Sequence, residues 1–96
     1  MVTYTILIYI IKYGKIYGCM IENAQWKIKI YPPSREHGPP HVHVIAKGMN
    51  AEVKINLETL EVQGKTRFSK KAVKDIIRYL FDNQDYLMEA WEQLHE

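Results

Sequence analysis

The sequence predicts an α+β domain: a small antiparallel sheet of three to four strands, followed by one or two C-terminal helices packed on one sheet face. Three observations predict it. Residues 25–31 and 51–57 alternate apolar and polar side chains, the period of a strand with one buried face. Val73, Ile76, Ile77, Leu80 and Phe81, then Leu87, Ala90, Trp91 and Leu94, recur at spacings of three and four, the period of a helix with one apolar stripe. The strand patterns come first and are joined by short connections, which favours an antiparallel meander with the helices laid over it.

Each element has its own justification. Tyr4 to Ile11 is apolar and β-branched and reads as a strand, with Gly14 and Gly18 punctuating a following loop rich in Tyr and Lys. In Gln25 to Tyr31, Trp26, Ile28 and Ile30 point one way and Lys27, Lys29 and Tyr31 the other. Pro32 and Pro33 stop this strand because proline has no N–H for the ladder, and Ser34 to Pro40 is a polar connection. His41 to Ala46 forms the next strand, Gly48-Met49-Asn50 the turn, and Ala51 to Leu57 the third strand. Leu60-Glu61-Val62 is a further short strand before Gly64. Ser69 precedes the first helical pattern as its N-cap, and Asn83-Gln84-Asp85 either breaks the helix or bends it. Trp26 and Trp91 belong to the core or to an interface, and His95 is expected to be solvated.

Composition sets the limits. With 96 residues, 47% of them hydrophobic and 25% charged, the chain supports one globular domain and excludes doubly wound sheets, large barrels and disorder. The single cysteine, Cys19, excludes an internal disulfide and a zinc ribbon and is expected to act as a small hydrophobe, in keeping with a cytoplasmic protein. The apolar N-terminal stretch is far short of the ~20 residues of a membrane span and has no secretory-signal pattern, so no membrane partner is expected. The net charge of +2 conceals an asymmetry: twelve cations and five acids up to Lys74, then one cation, Arg78, and six acids. A basic body thus carries an acidic C-terminal segment.

Three of the four histidines, His37, His41 and His43, fall within seven residues. On a strand His41 and His43 share a face, and if Val42 and Val44 enter the core, the opposite face carries His41, His43, Lys27, Lys29, Tyr31 and Lys54, with Glu52 as partial counter-charge and Ile45 among them. Pro39 and Pro40 hold the approach extended, and Gly38 permits a turn there.

The stretch Glu36-His37-Gly38-Pro39-Pro40-His41-Val42-His43-Val44 resembles the signature of a small bacterial family catalogued as domain of unknown function 4160. Leu57 to Val62, Ser69 to Lys71 and Trp91 match further parts of that pattern, and the resemblance spans roughly Met20 to Leu94. It divides the chain into an apolar extension, residues 1–19, which is either an extra strand or an upstream addition to a start at Met20, and an α+β core, residues 20–96. The resemblance implies a small intracellular bacterial protein, encoded beside another small protein in a setting similar to toxin–antitoxin pairs. It implies no reaction and no catalytic residues.

Three uses of the histidines remain open. In the first, His37, His41 and His43 bind a divalent metal, although Lys27 and Lys29 would repel a cation. In the second, the face contacts RNA: His37, Lys27, Lys29, Tyr31 and Lys54 bind, Tyr31 stacking on a base, and in its catalytic form His41 and His43 act as base and acid on a 2′-hydroxyl. In the third, the histidines tether the proline turn and the chain is a non-catalytic protein-interaction module. The leading expectation is a toxin–antitoxin-like, nucleic-acid-interacting protein that needs no cofactor. Its expected partners are RNA, a small cognate protein and further copies of the chain.

Overall fold

A computed structural model describes residues 5–12, 15–31 and 38–95, with side-chain environments for 22–31 and 38–95. Six strands form one antiparallel sheet in chain order: β1 (Thr5–Lys12), β2 (Lys15–Glu22), β3 (Trp26–Ile30), β4 (His41–Ala46), β5 (Glu52–Asn56) and β6 (Val62–Gln63). Helices α1 (Lys70–Asp82) and α2 (Gln84–Leu94) follow. The class is therefore α+β, with β3, β4, β5 and the short β6 supplying the strands that the alternating patterns predict.

The hairpin β1–β2 lengthens the sheet. The reading of residues around Gly18 as a loop is corrected: Gly18 lies inside β2, whose residues Cys19 to Glu22 pair with Lys27 to Ile30 of β3. A glycine weakens a strand but does not forbid it, and the edge of β3 supplies ladder partners that local sequence cannot reveal. The chain passes from residue 19 to residue 20 within this strand.

Register fixes the two faces. Ile28, Val44 and Val53 lie opposite one another across β3, β4 and β5, as do Val42, Ile55 and Val62 across β4, β5 and β6. These side chains join Trp26, Ile30 and Leu57 with Ile76, Leu80, Leu87 and Trp91 of the two helices in one core. Both tryptophans are core residues, the first of the two placements that the sequence leaves open.

Phe81 departs from the predicted stripe and is 65% exposed. At ~100° per residue it lies well round the helix from the buried Ile76 and Leu80, and the stripe is narrower than the sequence pattern suggests. His95 also departs from expectation. Its ring stacks on Trp91 at 3.6 Å between centroids, and its Nδ1–H donates to the Trp91 carbonyl at 2.9 Å, which leaves it half-buried.

Local hydrogen bonds set the element ends. Ser69 Oγ accepts from the Ala72 N–H at 3.1 Å, the N-cap bond expected of it. Asn83 separates the helices: its side-chain amide donates to the Tyr79 carbonyl at 2.7 Å, and its backbone N–H donates to Leu80. The Gln84 amide then donates to the Leu57 carbonyl at 2.6 Å and ties the start of α2 to the end of β5.

The turn from β5 to β6 depends on Asn56, whose Oδ1 accepts from the Glu58 and Thr59 N–H groups at 2.7 and 3.0 Å. This bonding closes the turn and holds Leu60 at φ 59°, a left-handed conformation uncommon for leucine, which is why the short strand begins at Val62 rather than Leu60. Asn56→Ala is therefore expected to lower stability by about 1 kcal/mol. A denaturant midpoint unchanged from the parent would show that the turn closes without this side chain.

Candidate functional site

Antiparallel register assembles the second sheet face in cross-strand rows. One row runs Lys29, His43, Lys54 and Gln63 across β3, β4, β5 and β6. Beside it runs Lys27, Ile45 and Glu52, with Glu22 of β2 opposite Lys27. His41 lies opposite Asn56 in the next row. The period-two argument from Val42 and Val44 thus brings Lys27, Lys29, His43 and Lys54 to one face.

The acids of this face are engaged. Glu22 meets the Lys47 ammonium at 2.8 Å. That hydrogen bond holds the Glu22 carboxyl below its ordinary pKa against the opposing effect of desolvation, and the charges of Lys47 and Lys27 add to it. Glu52 Oε2 accepts from His43 Nδ1 at 2.9 Å. Lys27, Lys29 and Lys54 are half-buried, and among the described residues none of them forms an ion pair. Lysines in such a setting lay their alkyl stems on the sheet and keep the ammonium in water.

His43 has the geometry of an oriented imidazole. A carboxylate oxygen can only accept, so Nδ1 carries the proton and Nε2 carries the lone pair in the neutral ring. The ring of Tyr31 stands edge-on to it with centroids 4.9 Å apart, and the side chain is 13% exposed.

The expectation that His41 lies open beside His43 is corrected. His41 is 2% exposed. Its ring is 5.3 Å from that of His43 but also 5.2 Å from Trp91 of α2, and its Nδ1–H donates to the Pro39 carbonyl at 2.9 Å. The cause is tertiary: the C-terminal part of α2 brings Trp91 to the beginning of β4, where the strand period alone would leave His41 uncovered. In this arrangement the His41 ring is closed off, while His43 and the lysines keep partial exposure.

His37, Pro32, Pro33 and most of the polar connection lie outside the described residues, as does the side chain of Cys19. The alternative metal set of His37, His41 and His43 therefore has only its last two members in view. Among the described residues no group of three His, Cys, Asp or Glu side chains could hold a metal ion. Among those residues, too, no helix is long and apolar enough to cross a membrane.

Alternation assigns nothing to Lys65 and Arg67, which follow β6 outside any strand. Together with Asn50, Glu52 and Thr66 they line an open cavity of about 450 Å³. The signal in the sequence is a run from residue 62 to residue 74 with five cations and no acid.

Comparison with known proteins places the chain in a family. The family model described as "Domain of unknown function (DUF4160)" matches residues 26–92, from the first residue of β3 to near the end of α2. No curated protein and no solved structure matches the chain. The match takes in β3 to β6 and both helices, covers well over half of the sequence, and includes every described residue of the proline–histidine element; the chain belongs to the DUF4160 family.

Proposed function

We propose that this protein contacts RNA through the sheet face of Lys27, Lys29, His43 and Lys54, in a toxin–antitoxin-like role. The observation that carries the reading is the cross-strand row Lys29–His43–Lys54, flanked by Lys27, in which the lysines have no ion-pair partner among the described residues. Adjacent strands lie ~4.8 Å apart, so the two lysines of this row sit roughly 10 Å from each other with the imidazole between them. Like charges so close repel, and a chain of phosphates relieves that repulsion while releasing counterions. Tyr31, against His43, adds an aromatic surface of the kind that stacks on bases.

Cleavage, if added to binding, rests on His43. Nε2 is its basic atom, Glu52 orients the ring, and Lys29 and Lys54 stand beside it where charge on a phosphorus centre would be offset. The alternative, a non-catalytic protein-interaction module, draws on His41, whose burial against Trp91 and bond to Pro39 suit a structural histidine.

The test is binding of a labelled single-stranded RNA at several salt concentrations, with product analysis in the presence and absence of chelator. Lys29→Ala/Lys54→Ala is expected to weaken binding roughly tenfold and to flatten the salt dependence. RNA that is not retained at physiological salt would reject the reading. Cleavage that survives His43→Ala would reject His43 as its base.

A further inference from the structure

The sheet face adjoins a second basic feature. Glu52 belongs both to the outer row of the sheet and to the wall of the cavity that it forms with Asn50, Lys65, Thr66 and Arg67. With a volume of about 450 Å³ the cavity is an open depression with polar and charged walls, a form that suits a stretch of polymer backbone lying across it. Its shape is maintained by the loop after β6. Gly64 turns the chain at φ 81°, which a side chain would resist. Thr66 Oγ1 donates to the Glu52 carbonyl at 2.7 Å and accepts from the Phe68 N–H at 3.1 Å.

Thr66 is thereby pinned to the start of β5, and Lys65 and Arg67 are presented on either side of it. Lys65 is exposed and Arg67 is on the loop surface, and neither forms an ion pair among the described residues. Beyond them α1 begins with Lys70, Lys71 and Lys74, all exposed and with no acid in the first turn. From Lys65 to Lys74 five exposed cations follow one another with no acid between them, a surface that attracts anions.

The remaining wall group decides the ligand. Glu52 is an acceptor among donors. One of its oxygens takes the His43 Nδ1–H, and its other lone pairs suit a hydroxyl rather than a phosphate. A phosphate beside a hydroxyl donor is the chemistry of a ribonucleotide unit, and the 2′-hydroxyl is what distinguishes RNA from DNA at a protein surface.

We propose that this cavity is a ribose–phosphate subsite, in which Lys65 and Arg67 hold a backbone phosphate and Glu52 accepts the 2′-hydroxyl, so that a single-stranded RNA runs from the sheet face over Glu52 toward α1. The proposal rests on the RNA reading of the sheet face and extends it.

The test uses the full chain and two labelled probes of mixed sequence, a single-stranded RNA and the DNA of the same sequence, each about 12 nucleotides long. Affinities are measured by anisotropy across a salt series for the native protein, Lys65→Ala/Arg67→Ala and Lys29→Ala/Lys54→Ala. The first variant changes loop residues outside the core, and equal thermal melting confirms its fold. We expect it to bind the RNA roughly tenfold more weakly, with a salt slope shallower by about 0.7, the loss of one phosphate contact to a single strand. The native protein should favour the RNA over the DNA.

If Lys29→Ala/Lys54→Ala weakens binding while Lys65→Ala/Arg67→Ala matches the native protein, the subsite is rejected and the sheet-face reading stands. If Lys29→Ala/Lys54→Ala has no effect, the sheet-face reading fails and the subsite fails with it. Equal affinity for RNA and DNA would overturn the ribose contact of Glu52.

Discussion

Leu80→Ala is expected to lower stability by about 3–4 kcal/mol. Leu80 is fully buried in α1, and its companions in the core come from both sheet and helices: Ile28, Val44 and Ile55 from the strands, Ile76 and Leu87 from the helices. Removing most of its side chain loses the transfer free energy of the deleted atoms and leaves a cavity that strands held in register cannot close. A domain of this size has ~5–10 kcal/mol in total, so the variant should melt ~12–25 °C lower. Phe81→Ala, one residue along and mostly exposed, is the control, with an expected change of about 0.5 kcal/mol or less. Equal losses at the two positions would show that Phe81 is covered in solution, by a second copy or by another partner.

His41→Ala is expected to cost about 2 kcal/mol, whereas His43→Ala should cost about 1 kcal/mol or less. The two histidines are one pleat apart and chemically identical, so the difference is set by surroundings. His41 lies under Trp91 with its Nδ1–H on the Pro39 carbonyl, and the alanine variant removes a buried ring and the donor that fixes the approach to β4. Among the interactions that His43 gives up are its bond to an exposed carboxylate and an edge contact to Tyr31. His41→Phe keeps the ring against Trp91 and should recover part of the lost stability. Under the proposed RNA contact it should also retain affinity, while His43→Ala weakens it. Loss of RNA affinity in a well-folded His41→Phe would mean that this ring reaches the nucleic acid, and the structural assignment would fall.

The contrast between these histidines marks how far the site is legible in the sequence. Alternation about Val42 and Val44 is a local property, and it brings Lys27, Lys29, His43 and Lys54 to one face because the side-chain period of a strand is fixed at two. The His43–Glu52 bond needs one more fact, that His43 pairs with Lys54 and Ile45 with Glu52, which places these two side chains diagonally across the ladder. The covering of His41 needs the path of α2, and no pattern within residues 36–44 contains it. Lys65 and Arg67 escape an argument built on periodicity because their loop has no period. The hydrogen bond from Thr66 to β5 is what brings them beside Glu52.

The same division holds for the fold. Sequence by itself determined the α+β class, the strands β3, β4 and β5, the cap at Ser69 and the helical periodicity, because each follows from spacing within a few residues of chain. Only the tertiary structure decided that residues 15–22 form a strand on the edge of β3, that Asn83 divides the helices, that Phe81 faces out, and that of two neighbouring histidines one is closed beneath a tryptophan while the other remains with the lysines. Those outcomes depend on ladder partners and packing surfaces contributed by residues far along the chain, whose free energies no local propensity encodes.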